Sequence, residues 1–73
     1  MTKAIFSKDH LYTVEQLKKA RHEAGLSQVE VVKLLGKTQS HLSKIEAGQR
    51  RLDIGQLKEF AKIYKKDLSF FIK

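Results

Sequence analysis

The stretch LSQVEVVKLLGKTQSHLSKIEAG, Leu26 to Gly48, holds two short apolar patterns, each opened by a capping residue and closed by a glycine. Ser27-Gln28-Val29-Glu30 has the capping-box form: the serine side chain accepts from the Glu30 amide while the glutamate reaches back to the serine amide. Val31, Val32 and Leu35 then share one helical face, and Gly36 stands where a left-handed residue ends a helix. The β-branched run lowers helix propensity, so this helix of about two turns must rely on packing. Thr38 caps a second helix predicted to run to about Ala47, with Leu42 and Ile45 inward and Gly48 as its terminator. Only Gly36-Lys37 separates the two. The pair is read as a helix, a tight turn and a second helix, the first bracing the second, which offers one face to solvent.

On the second of these helices Gln39, Ser40, Ser43 and Lys44 recur at i, i+1, i+4 and i+5, opposite Leu42 and Ile45. All four donate hydrogen bonds and none is acidic. Glutamine pairs bidentately with adenine and lysine reaches guanine acceptors in the major groove of DNA, with about 1–3 kcal/mol of discrimination per good pair. These four are therefore the candidate base-contacting residues. An ordinary solvated face would mix in glutamate, as the outer segments of this chain do. Ser27 and Gln28, at a helix start where free amides and the dipole favour an anion, are candidate phosphate contacts. Lys37, Gln49, Arg50 and Arg51, in the turn before and the loop after the reading face, are the others.

Working outward, Thr13-Val14-Glu15-Gln16 repeats the capping-box form and predicts a first helix over Val14 to Ala24, with Val14, Leu17, Ala20 and Ala24 inward and Gly25 at its end. Asp53-Ile54-Gly55-Gln56 opens a further helix whose stripe is Ile54, Leu57, Ala61 and Tyr64, with Phe60 beside it. Leu68, Phe71 and Ile72 suit either one last helical turn or a docked tail. Residues 1–12 have no clear period and are read as an arm, set apart from a domain over 13–73. Partial disorder is expected there, the alternatives being docking or strand pairing by Ala4-Ile5-Phe6 and a minor-groove arm using Lys3 and Lys8.

Two charges interrupt apolar stripes. Arg21 falls four after Leu17, and Glu46 four after Leu42. An unpaired buried charge is strongly unfavourable, so the two are expected to meet as a partly buried ion pair that fixes the angle between their helices.

The 73 residues carry no cysteine and no proline, with a formal net charge of +7. One all-α domain without disulfides, metal or other cofactor is expected, stabilised by helix packing, with dimerisation as a further source of stability. The basic balance points to a polyanion. Residues 37–52 hold a local surplus of +3 from Lys37, Lys44, Arg50 and Arg51 against Glu46, whereas Glu30 and Lys33 cancel within 26–36. Lys58, Lys62, Lys65 and Lys66 are read as a solvated helix face. No long apolar run or signal-peptide pattern is present, so a cytoplasmic location is expected and a membrane partner is not.

From Val14 to about Leu68 the chain resembles the phage repressor and Cro-like, XRE-type, helix-turn-helix family, on the strength of Leu26-Ser27-Gln28 through Gly36 and Thr38 through Gly48. The resemblance implies a compact five-helix, lambda-repressor-like fold with the helix-turn-helix in helices 2 and 3. It also implies a homodimer on palindromic double-stranded DNA, base contacts from Gln39, Ser40 and Lys44, a phosphate contact from Gln28, and the Arg21 to Glu46 pair. A transcriptional regulator, more often a repressor, follows. The chain departs from the family pattern at Val32 (usually alanine), Lys37 (commonly apolar), Ala47 (often a phosphate-contacting asparagine) and Leu52 (near a frequent proline).

Two other classes compete. Catalysis has little to rest on: His10, His22 and His41 are scattered, and His22-Glu23 lacks a second histidine at zinc-helix spacing because Leu26 stands there. An antitoxin-like protein-interaction module would draw on Phe70, Phe71 and Ile72 at the chain's end.

Overall fold

In the computed structural model, which describes residues 8–72, the chain forms α1 (Lys8–Glu23), α2 (Gln28–Leu35), α3 (Gln39–Glu46), α4 (Ile54–Tyr64) and a terminal 3-10 turn (Leu68–Phe70). No strand occurs among the described residues. The starts of α2, α3 and α4 follow from local chemistry. Ser27 and Asp53 each complete a reciprocal capping box, with Glu30 and Gln56, and Thr38 Oγ1 accepts from the His41 amide at 3.2 Å. Gly36 ends α2 in the left-handed region at φ 70°, which a side chain would resist, while its own amide bonds to the Val32 carbonyl. The following Lys37 amide takes the same carbonyl at 3.0 Å, so the chain reverses within two residues.

The first helix departs from its predicted start. Lys8 to Tyr12 are already helical, so the boundary between residues 12 and 13 lies inside α1. Thr13 and Gln16 do not form a cap. Thr13 Oγ1 donates to the Phe71 carbonyl at 2.7 Å and Gln16 Nε2 to the Phe70 carbonyl at 3.0 Å. Two half-buried carbonyls of the returning chain need donors, and side chains inside a continuous helix supply them. Residues 1–7, with Lys3 and Ala4-Ile5-Phe6, lie outside the described residues, while Lys8, the other residue of the expected minor-groove arm, opens α1, and residues 8–12, part of the stretch expected to be disordered, are helical.

The expected fifth helix is also corrected: four α-helices are present among the described residues, and the last element is a three-residue 3-10 turn. Asp67 makes no side-chain capping bond there, and Phe71 must turn into the core, where it is fully buried. The tighter three-residue repeat makes this turn within Leu68–Phe70.

Leu17, Ala20, Val31, Leu42, Ile45, Phe60, Tyr64 and Phe71 form one core between the helices. Phe60 stacks on Tyr64 with centroids 5.8 Å apart, and Phe70 meets Phe71 edge-on at 5.3 Å. Phe60, read from sequence as lying beside the stripe, is inside it. Ala24 and Ile54, read as members of their stripes, are exposed, because Ala24 lies past the end of α1 and Ile54 at the first position of α4. Of the terminal aromatics proposed for a partner, Phe71 is core and Phe70 packs against it, leaving Ile72 exposed.

Candidate nucleic-acid interface

The third helix is held by its buried side. Leu42 and Ile45 are each 1% exposed and pack with Leu17 and Val31, so the opposite side of α3 must face out. Gln39, Ser40, Ser43 and Lys44 are all exposed there. The short α2–α3 turn fixes the direction in which that face points.

On the flank toward α2, four side chains form a hydrogen-bonded chain. Arg21 Nε donates to Glu46 Oε2 at 2.8 Å and Nη2 to Oε1 at 3.1 Å, a bidentate pair, while Nη1 donates to the Leu26 carbonyl at 3.0 Å. The same Glu46 Oε1 accepts from Gln28 Nε2 at 3.0 Å, and Gln28 Oε1 accepts from Gln39 Nε2 at 3.4 Å. Three elements, α1, α2 and α3, are thus joined through one buried carboxylate. The bond to Glu46, reinforced by its charge, raises the pKa of Arg21 against a smaller opposing effect of burial. Gln39 gives one amide hydrogen to Gln28 and keeps its second hydrogen and its carbonyl, the two groups that adenine requires. The Tyr64 hydroxyl, buried and without a hydrogen-bond partner among the described residues, is pushed up in pKa by burial first and then by the charge of Glu46.

The flank toward the α3–α4 loop is built differently. Lys37, Lys44, Gln49, Arg50 and Arg51 are exposed, and among the described residues none of these cations has an ion pair. The loop backbone itself is ordered by the Gly48 and Gln49 amides, which bond to the Ile45 and Lys44 carbonyls at 3.0 and 2.9 Å. Half-buried His41 sits at this edge, its pKa lowered by burial first and then by the charges of Arg50 and Lys37.

The predicted phosphate residues are not equivalent in this geometry. Ser27 has both its amide and its hydroxyl oxygen engaged with Glu30, at 2.8 and 3.1 Å, leaving only the hydroxyl proton to give. Gln28 is tied to Glu46 and Gln39 and retains one amide hydrogen. Sequence reasoning missed both the Gln28–Glu46 and Gln28–Gln39 contacts and the placement of His41 beside two cations. No signal in the sequence marks these contacts, because Gln28 and Gln39 stand on polar faces where solvated amides are equally expected.

Of the departures from the family pattern, Val32 is buried in the core, Leu52 packs against it, and Lys37 and Ala47 are exposed. Among the described residues no three His, Cys, Asp or Glu side chains are grouped to hold a metal ion, and no helix is long and apolar enough to cross a membrane.

With this geometry in hand, the comparison with known families is specific. The model of the Helix-turn-helix family matches residues 17–71, a span that contains all of α2, α3 and α4. Among curated proteins and among solved structures no match is found. With the matched span covering most of the chain and the α2–α3 unit at its centre, the protein belongs to the XRE-type helix-turn-helix family of DNA-binding regulators.

Proposed function

We propose that the protein is a cytoplasmic transcriptional repressor that binds palindromic double-stranded DNA as a homodimer, laying α3 in the major groove. The observation that carries this reading is the outward, acid-free face of α3, on which Gln39 is held by Gln28 with its adenine-pairing groups unused. Gln39, Ser40, Ser43 and Lys44 read base edges. Gln28, Lys37, Gln49, Arg50 and Arg51, with the Ser27 hydroxyl, meet phosphates, which position the protein without specifying sequence. The described domain measures 32 × 25 × 19 Å. Two copies side by side therefore fit the separation of about 34 Å between successive major grooves on one face of the duplex. The Arg21–Glu46 pair serves as scaffold, fixing α1 against α3.

The test is selection of binding sites from random duplex DNA, followed by the same selection with Gln39→Ala. A preferred motif with two-fold symmetry is expected, with preference relaxed at one base position per half-site, a loss of about 1–3 kcal/mol there. Affinity should fall steeply with salt as counterions return to the DNA. An unchanged motif for Gln39→Ala would overturn the base-reading assignment, and a selected site without symmetry would overturn the dimer.

A further inference from the structure

The second helix ends on a side chain that the fold leaves uncovered. Leu34 is 65% exposed, more than any other large apolar residue described, while Val31, Val32 and Leu35 turn toward the core. Beside it a groove runs between the end of α2 and the later turns of α4. Leu35, Glu59, Lys62 and Ile63 line one stretch, Leu26 and Ile63 with Glu23 and Lys65 line the next, and Leu34 borders both. The two carboxylates of this lining cancel its two ammonium groups, on a chain whose net charge is +7. Glu23 is paired with Lys66, whereas among the described residues exposed Glu59 and Lys62 have no ion pair. The groove also lies away from the candidate DNA face: Leu34 is six residues beyond Gln28, about 120° from it around α2 by the shorter arc and about 9 Å further along.

We propose that this groove receives a second copy of the chain related by a two-fold axis, with Leu34 of each copy seated against Leu35 and Ile63 of the other, and Glu59 of each facing Lys62 of the other. The proposal rests on the homodimer of the reading above and gives it a surface. A two-fold contact must be self-complementary. Here a protruding apolar side chain stands beside an apolar groove, and an unpaired anion stands three residues along α4 from an unpaired cation. Each feature meets its complement when the surface is turned onto itself. Net charge narrows the choice further, because two copies at +7 repel, and a lining whose charges cancel lets them approach at the least electrostatic cost. Since Leu34 and Gln28 occupy different sides of α2, docking leaves the α3 face of both copies open. Four apolar side chains make a small contact, of the class that buries less than about 1,200 Å² in all, so a dissociation constant of about 1 μM or weaker is expected.

The test is sedimentation equilibrium of the free protein from about 10 μM to about 1 mM, over which the wild type should pass from monomer toward dimer. Leu34→Glu, at an exposed position, should raise the dissociation constant at least about tenfold and leave the thermal midpoint unchanged. That monomer should still bind a duplex carrying one half-site. Glu59→Lys and Lys62→Glu should each weaken self-association, because like charges then face each other across the axis. Mixed in equal amounts, the two should associate more tightly than either alone, since each supplies the charge that the other lacks. The rescue decides the matter even if Leu34→Glu folds poorly. A wild type monomeric at about 1 mM, self-association unchanged in Leu34→Glu, or a mixture no tighter than its components would overturn the proposal and leave DNA binding standing. Failure of the wild type to bind duplex even at low ionic strength would overturn the DNA-binding reading instead.

Discussion

The two flanks of α3 are held by opposite means. Toward α2, Gln39 is joined by one hydrogen bond to Gln28, and through it to Glu46 and Arg21, so its side chain is tied to a network inside the protein. Toward the loop, Lys37, Arg50 and Arg51 are exposed, and among the described residues none of them has an ion pair. Preorganised donors suit a task in which one wrong base must be rejected, because a group already oriented loses little entropy on binding. Exposed, unpaired cations suit a partner whose charge repeats along its whole length. On the proposed function, the same helix divides discrimination from attraction between its edges.

The largest expected effect comes from breaking the tied flank at its root. Arg21→Ala leaves Glu46, 7% exposed, as a buried carboxylate without its cation, and should cost about 3–5 kcal/mol of stability in urea denaturation. Replacing both by apolar residues of similar volume, Arg21→Met with Glu46→Leu, should recover most of that loss. Recovered stability together with weakened base preference would separate the scaffold from its role in orienting Gln39.

Gln28→Ala releases Gln39 more gently. A cost of about 1 kcal/mol in stability is expected, along with a relaxed preference at the base position that Gln39→Ala also affects. If the selected motif kept its full preference there, the hydrogen bond between the two glutamines would have no part in recognition. Arg50→Ala addresses the other flank: denaturation midpoints should hardly move, while affinity falls for all duplexes alike and the slope of log K against log salt drops by about one. A loss confined to one operator sequence would contradict the division of labour.

The smallest effect concerns the α2 cap. The bond from the Ser27 amide, first among the causes, holds the Glu30 carboxylate below its ordinary pKa. Because the folded value lies below the unfolded one, the stability this contributes is present above the unfolded pKa. It is lost as pH falls through the lowered folded value. Thermal unfolding followed into acid should therefore show a shallower decline for Glu30→Gln than for the wild type, and equal declines would remove the cap from the acid response.

What was legible in the sequence was local. Ser27, Thr38 and Asp53 cap the helices they precede, since their partners lie three residues on and no distant contact competes. Thr13 has the same local form and a different fate, because Phe71, 58 residues away, offers a carbonyl that the sequence pattern does not reveal. A charge on an apolar stripe demands a partner, which makes Arg21 and Glu46 conspicuous. Gln28 and Gln39 are polar residues on polar faces, and their bond is indistinguishable in sequence from two solvated amides. His41 is hidden for a related reason: its surroundings are set by a turn and a loop whose residues carry no helical period.

Phe71 has a further consequence. Its fully buried side chain comes from a segment 58 positions beyond Thr13, so the interior closes toward α1 only when that distant segment returns to the first helix, and the hydrogen bond from Thr13 marks where it docks.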